Sequence, residues 1–370
     1  MLRIDEIELY RVSMPLVYPF ATAFGQETAI ESVLVHLRSG ELRGWGESSP
    51  FMHPGYSAEY AAGVFAVTRD FLGPFVLGKE VPSGEELQKL LAPVKGNYFA
   101  KAALDLAWWD VWAKSRNEPL WRALGGTRDV VDVGEDFGVM ESLDALLGSI
   151  DTAVRAGYKR VKLKFRPGWD LNMVAAVRKA FPSLVMHIDC NSAYTLADLP
   201  MFKKLDRFGL AMIEQPLAHD DLLDHAELQR ELETPICLDE SITSPQKARQ
   251  AIRIGACRWI NIKHGRVGGL TRAREIHDEC RDAGLPCWVG GMLESALGQR
   301  HSLALATLPN IQYPSDIFTT SRFFERDLGE PEMVLSGPSQ FRAQETPGAG
   351  AEPNPDMLEK QTVERVRLRA

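Results

Sequence analysis

Cysteine is scarce in this chain: Cys190, Cys237, Cys257, Cys280 and Cys287 are the five among 370 residues. Their number is odd and none has CxxC spacing, which argues against a disulfide framework and against a zinc knuckle. Long apolar runs are also missing. Nothing approaches the ~18 uninterrupted apolar residues of a membrane-spanning helix. The start, Met1-Leu2-Arg3-Ile4-Asp5-Glu6, lacks the apolar stretch of a signal peptide, so the expectation is a cytoplasmic protein. Basic residues are the minority charge, 42 Lys and Arg against 50 Asp and Glu, for a net charge of −8 with no basic tract. Nucleic acid and anionic membrane surfaces are therefore not expected as partners.

What is present is an ordinary globular composition, 45% hydrophobic and 25% charged, with a length that suggests roughly two domains. Residues 2–12 and 31–47 read as strands, and the Ser39-Gly40 turn makes a hairpin of the second stretch. Two loops are expected here, Pro19 to Gly25 with Phe20 and Phe24, and Ser48 to Tyr56 with Phe51, Met52 and His53. Each reads as a surface turn or as a lid. Ser57 reads as an N-cap, ahead of Tyr60, Val64, Val67 and Phe71 at helical spacing. Further helices are expected near 84–91 and 97–114. Trp108, Trp109 and Trp112 in the latter suit core packing better than a ligand cage. Strands followed by a run of helices predict an α+β unit over residues 1–125.

From Val131 the pattern becomes strand–helix alternation. Five short apolar runs each end in a charged residue: Val161 to Lys164, Val185 to Asp189, Leu210 to Glu214, Ile236 to Asp239 and Trp259 to Lys263. The terminal charges recur at intervals of 25, 25, 25 and 24 residues, the length of one strand, one helix and two loops. In an α/β barrel, parallel strands deliver their C-terminal residues to one face, where active sites sit. The expectation is an α/β fold, a (β/α)7β-type TIM barrel over 126–320 beneath an N-terminal α+β capping domain. Pro286 to Gly291 would be strand seven and Ile311-Gln312-Tyr313 a short eighth. Residues 321–370 would return to the first domain, with Val363 to Leu368 as a strand pairing there. An apolar capping domain leaves room for a homo-oligomer.

Asp189, Glu214 and Asp239 come from three successive strands, so their carboxylates converge and repel one another. A hard divalent cation resolves that conflict. An all-oxygen donor set with positions left for water or substrate suits Mg²⁺, or Mn²⁺ in its place, better than Zn²⁺. The competing reading pairs each carboxylate with a lysine; three acids in regular series favour the metal. Lys162 and Lys164, two apart, share one face, and adjacent ammonium groups are expected to lower a pKa toward the range of a general base. Lys263 faces the same cavity from the other end of the acid arc. A metal flanked by two bases suggests removal of a proton α to a carboxylate of a small substrate, with the charge of the enediolate stabilised electrostatically. Cys190 and Cys237, beside the acids, read as reduced packing residues rather than thiolates.

These residues resemble the enolase superfamily in its muconate-lactonizing subgroup: Lys162-x-Lys164, Asp189-Cys190-Asn191, Glu214-Gln215-Pro216, Asp239-Glu240-Ser241 and Lys263 match in order and spacing. Asn97-x-x-Ala100-Lys101 and the loop from Phe20 to Gly25 extend the likeness to nearly the whole chain. Gly290-Gly291-Met292-Leu293-Glu294, Asn261-x-Lys263-x-x-Arg266 and Pro314-Ser315-Asp316 are similar to the o-succinylbenzoate synthase and N-succinylamino acid racemase family. The resemblance implies Mg²⁺ and either dehydration or 1,1-proton transfer. It makes Lys164 the main base supported by Lys162, and Lys263 the second base or a cation beside the intermediate. Arg266 matches a position associated with the racemase branch. Phe20, Phe24, Met52, Tyr56, Asp136, Asn191, Glu240, Gly291, Met292 and Leu293 become substrate-contacting or supporting groups. Two departures touch substrate recognition. Asp136 stands where the family usually has Ser, and Gln299-Arg300-His301-Ser302 replaces Arg-Ala-His-Asn. A carboxylate at 136 would repel an anionic substrate tail or bind a cationic one. Other readings are a muconate cycloisomerase-like or another acid-sugar or dipeptide-type activity of that superfamily, a Schiff-base lysine enzyme, and a non-catalytic binding protein on an old fold.

Overall fold

The computed structural model describes residues 1–21 and 25–370. The chain opens with an antiparallel meander of β1 (Glu6–Ala21), β2 (Gln26–Ser39) and β3 (Leu42–Ser48). Of the expected aromatic loop, Pro19 to Ala21 continue β1, with Phe20 opposite Glu27 and Ala21 opposite Gln26. A register shift between Pro15 and Phe20 absorbs Pro15 and Pro19, which have no N–H to give a regular ladder. Phe24 lies outside the described residues.

The helix expected after Ser57 begins later, at Ala61, with Tyr60 rather than Ser57 at its N-cap and no side-chain cap bond. Ser57 closes a turn instead, its Oγ accepting from Glu59 N at 3.1 Å. Glu59 in turn caps a different helix, α1 (Tyr98–Ser115), by accepting from Phe99 N at 3.1 Å and Ala100 N at 3.2 Å. α1 is buried on almost every side, as a helix apolar all round must be. Gly46 admits it, since a Cβ there would stand 2.3 Å from Ala103 O. Trp108 and Trp109 pack in the core as expected, and Trp109 Nε1 donates to Thr271 Oγ1 of the barrel layer at 2.9 Å.

Seven parallel strands follow in sequential order: β4 (Glu135–Phe137), β5 (Arg160–Lys164), β6 (Val185–Asp189), β7 (Ile213–Glu214), β8 (Ile236–Leu238), β9 (Trp259–Ile262) and β10 (Cys287–Val289). The eighth position is reduced to single bridges, Ile311 to Cys287 and Ser315 to Val133, which join the two edges of the curled sheet. The connection from β6 to β7 holds a single α-turn, Leu199–Phe202, between 3₁₀ pieces rather than one continuous helix. Pro200 sits at its start, and Asp206 leaves the helical path to accept from Glu233 N at 3.2 Å and Thr234 N at 2.9 Å. No helix among the described residues is long and apolar enough to cross a membrane.

The last strand, β11 (Thr362–Arg369), pairs antiparallel with β1, so the chain's end completes the first sheet in the order β11-β1-β2-β3. Glu8 pins this pairing: its Oε1 accepts from Arg365 Nη2 at 2.8 Å and from Arg367, while Oε2 meets Tyr10 OH at 3.1 Å. Burial alone would raise its carboxyl pKa, but Arg365 and Arg367 outweigh burial and bring it from 4.5 down to about 2. A depressed folded-state value stabilises the fold above pH 4.5, and that stability is lost as pH falls toward 2. Glu8→Gln should therefore lower stability at pH 7 by about 1–2 kcal/mol and flatten the acid limb of the stability curve. Urea unfolding at several pH values checks both.

Candidate active site at the barrel mouth

The C-terminal ends of β5 to β9 carry their charges into one buried space: Lys164 and Glu214 are both opposite Asp189, while Glu214 is opposite Cys237, so Asp239 stands two residues further along the chain. Lys164 Nζ donates to Asp189 Oδ2 at 2.7 Å and to Asn191 Oδ1 at 2.8 Å. Asn191 Nδ2 passes on to Glu240 Oε1 at 3.0 Å. At the other end of the arc Lys263 Nζ donates to Asp239 Oδ2 at 2.9 Å and to Tyr56 OH at 3.2 Å. Arg266 also binds Asp239, and reaches Tyr56 OH at 2.8 Å. The outer acids are thus each matched by a cation, as the ion-pair reading of the sequence has it.

Glu214, between them, is different. Its Oε1 accepts from Asn261 Nδ2 at 2.6 Å, but the fully buried Oε2 makes no hydrogen bond; His187 Nε2 lies 3.4 Å from it, and burial holds that imidazole's pKa well below its ordinary value. Burial and the charges of Asp189 and Asp239 push its carboxyl far above the usual range. By contrast, burial raises Asp239 less than Arg266 and Lys263 lower it, so its carboxyl is held well below the usual range. Among the described residues no three acid, His or Cys side chains are drawn in closely enough to hold a metal as they stand, since Asp189 and Asp239 face their lysines. The donor set nevertheless fits a hard divalent cation: three carboxylates from adjacent strands, with an orphaned oxygen on the middle one.

Lys162 corrects a sequence expectation. Burial pulls its pKa down, but Asp136 and Asp316 more than reverse this, so the ammonium is held well above its ordinary value. Its neighbour Lys164 does not lower it because each lysine has its own carboxylate partner, Asp136 Oδ2 lying 2.9 Å from Lys162 Nζ. Asp136 is in turn raised to about 6 by burial and by Asp316, with Lys162 and Arg160 working against the rise.

One cavity is lined by Phe20, Tyr56, Asp136, Lys162, Lys164, Asn191, Lys263, Gly291, Met292 and Leu293 together with Phe51 and Phe318. Met52, expected at the site, is half-buried and does not line that cavity; Phe51 takes its place through a left-handed backbone, φ 72°. Asn191, Gln215 and Leu293 also have positive φ, at 43°, 38° and 58°, so backbone strain gathers at the mouth, as it does at functional sites. Gln215 repays this locally by accepting from Asp239 N at 3.0 Å and Ser241 N at 3.1 Å. Sequence reasoning missed Phe51, Phe318, Arg160, His187 and Asn261. The last two sit two residues before Asp189 and Lys263, hence on the same strand face, which was the available signal. Cys190 and Cys237 are buried free thiols whose pKa values burial drives upward, so neither is a thiolate.

Comparison with known proteins agrees with this architecture. Residues 5–125 match the mandelate racemase / muconate lactonizing enzyme N-terminal domain, and residues 146–357 match the enolase C-terminal domain-like family. The chain is 45% identical over 332 residues to an N-succinylamino acid racemase of Thermus thermophilus, covering 90% of each protein. It is 44% identical to an o-succinylbenzoate synthase of Geobacillus kaustophilus, over 98% of this chain and 96% of that one. A solved enolase-superfamily structure from Listeria innocua superposes with a TM-score of 0.96 at 35% identity, covering 100% of both chains. With both domains matched, and with an acid arc flanked by lysines on the barrel face where catalysis belongs, the chain is a member of the enolase superfamily of enzymes.

Proposed function

We propose that this enzyme removes a proton α to a substrate carboxylate, with Lys164 and Lys263 as the proton-transferring groups. Asp189, Glu214 and Asp239 would hold Mg²⁺, or Mn²⁺ in its place; superfamily members typically use a divalent metal. The reaction class is racemization of N-succinylamino or other N-acylamino acids, dehydration of the o-succinylbenzoate synthase type, or both, in keeping with the names of the relatives. The observation that carries this reading is the orphaned Glu214 oxygen between two acid–lysine pairs. A cation there would supply the positive charge that a developing enediolate requires.

The protein's own groups do the rest. Lys164 and Lys263 stand at opposite ends of the acid arc, so one can take the α-proton from one face while the other returns a proton to the opposite face. Asn191 and Tyr56 hold the two ammonium groups by hydrogen bonds at 2.8 and 3.2 Å. Lys162, held as a cation by Asp136 and Asp316, is not a base. Phe20, Phe51 and Phe318 give the cavity apolar walls. In deuterated water with an N-acylamino acid and Mg²⁺, Lys164→Ala and Lys263→Ala should each lower α-hydrogen exchange from one substrate enantiomer by about 10²–10⁴-fold. Native-rate exchange in both variants contradicts the assignment.

The metal assignment has its own test. Glu214→Gln removes a carboxyl forced into a repulsive, half-satisfied setting, so in chelator it should melt no lower than the parent and gain about 1 kcal/mol. It should also lose the stabilisation that Mg²⁺ gives the parent, which is about 2.7 kcal/mol at a hundred times Kd. Thermal unfolding with and without Mg²⁺ reads both.

A further inference from the structure

The cavity has two halves. Lys164, Asn191, Lys263 and Tyr56, which are hydrogen-bonded to Asp189, Glu240 and Asp239, line one. The other is made by the ends of β4 and β5, the turn after β10, and Phe20 from the capping hairpin; a substrate held by its α-carboxylate at the arc would point its distal end here. Apart from the lysines, this far wall is apolar except at Asp136. As a sequence feature Asp136 promised direct contact with a charged tail. In the structure both its oxygens are already engaged, Oδ1 with Arg160 Nη1 at 3.1 Å and Oδ2 with Lys162 Nζ at 2.9 Å. Asp316 completes the set, receiving Arg160 Nη2 at 2.7 Å and Lys162 Nζ. The result is a ring of two cations and two carboxylates, with side chains at most 7% exposed. Gly134 leaves room for it, since a Cβ there would fall 2.1 Å from the Arg160 guanidinium. The next arginine on this side, Arg322, is bound to Glu135 and to Asp136 O at 2.9 Å.

We propose that Asp136 is a specificity-determining residue: by neutralising Arg160 and Lys162 it selects substrates whose acyl end is uncharged, N-acylamino acid monoanions, over those with a second carboxylate on the acyl chain. The inference rests on the proton transfer proposed above and narrows its substrates to the other N-acylamino acids, since N-succinylamino and o-succinylbenzoate-type substrates end their acyl chains in a carboxylate. A second carboxylate entering this wall would be desolvated with no unmatched cation to meet it. Without Asp136 the ring would hold two cations against Asp316 alone, and a substrate carboxylate would restore the balance. A cationic tail fares no better, because the Asp136 oxygens are taken.

The test measures binding separately from turnover. Calorimetry with the Mg²⁺-loaded protein compares N-acetyl- and N-succinyl-phenylalanine on the parent, Asp136→Asn, Asp136→Ser and Asp136→Glu. The parent should bind the acetyl compound at least as tightly as the succinyl one. Asn and Ser at 136 should shift the ratio of Kd values toward the succinyl compound by about tenfold, and Glu should keep the parent's ratio. The proposal is overturned if the parent binds the succinyl compound tenfold more tightly, if it binds neither compound, or if the ratio is the same in all folded variants. Should the Asn and Ser variants fail to fold, the parent and the Glu variant still decide, through the first two outcomes. The predicted shift without racemization would leave this inference standing and remove the reaction; racemization with no shift would do the reverse.

Discussion

Three carboxylates brought to the mouth of one barrel repel one another, and most of the site can be read as a response to that repulsion. Lys164 answers Asp189, and Lys263 with Arg266 answers Asp239. Glu214 receives a single amide donor from Asn261 and keeps a buried oxygen unmatched. A buried carboxylate oxygen left without a hydrogen bond is costly and calls for an explanation. The reason offered here is a divalent cation, whose binding would draw Asp189 and Asp239 from their lysines and leave two amines beside the substrate carbon. Ground-state pairing and catalytic readiness are then two arrangements of the same groups.

The architecture serves this site by closing it. The sheet completed by β11 and the long β1–β2 hairpin sit over the barrel, and they are fastened by buried polar bonds rather than by apolar contact alone. Glu47 at the end of β3 accepts from Ser295 Oγ at 2.5 Å and Gly298 N at 2.9 Å. It thereby caps the start of the barrel's last long helix from the other domain. Thr271 ties α1 to the barrel through Trp109. Phe323, after the barrel, packs edge-on against Phe20 and Phe318 with ring centres 5.8 and 5.0 Å away. The segment that follows the barrel thus supports two of the cavity's aromatic walls.

Much of this was legible in the sequence because a repeating strand–helix unit has a nearly fixed length. The spacing of Lys164, Asp189, Glu214, Asp239 and Lys263 was enough to place five side chains on one face. The return of the last strand to the first sheet was legible from its alternation. What lay beyond reach depends on long-range pairing or on single backbone angles. Nothing local links Arg160 to Asp316, 156 residues away, and without that link Asp136 reads as a free carboxylate and Lys162 as a weakened cation. Met52 was expected at the site where Phe51 is found, because one residue with φ 72° exchanges which side chain faces inward. Pro19 to Ala21 were read as part of an aromatic loop, whereas the strand runs through them past a register shift between Pro15 and Phe20.

The central claim is that Asp189, Glu214 and Asp239 gather around one cation. Anomalous diffraction from a crystal of the enzyme soaked in Mn²⁺ measures this most directly. The account predicts one peak at about 2.0–2.3 Å from an oxygen of each of the three acids, with the ammonium groups of Lys164 and Lys263 released from Asp189 and Asp239. A peak elsewhere, or none while both lysines stay clasped to their acids at saturating Mn²⁺, would contradict it.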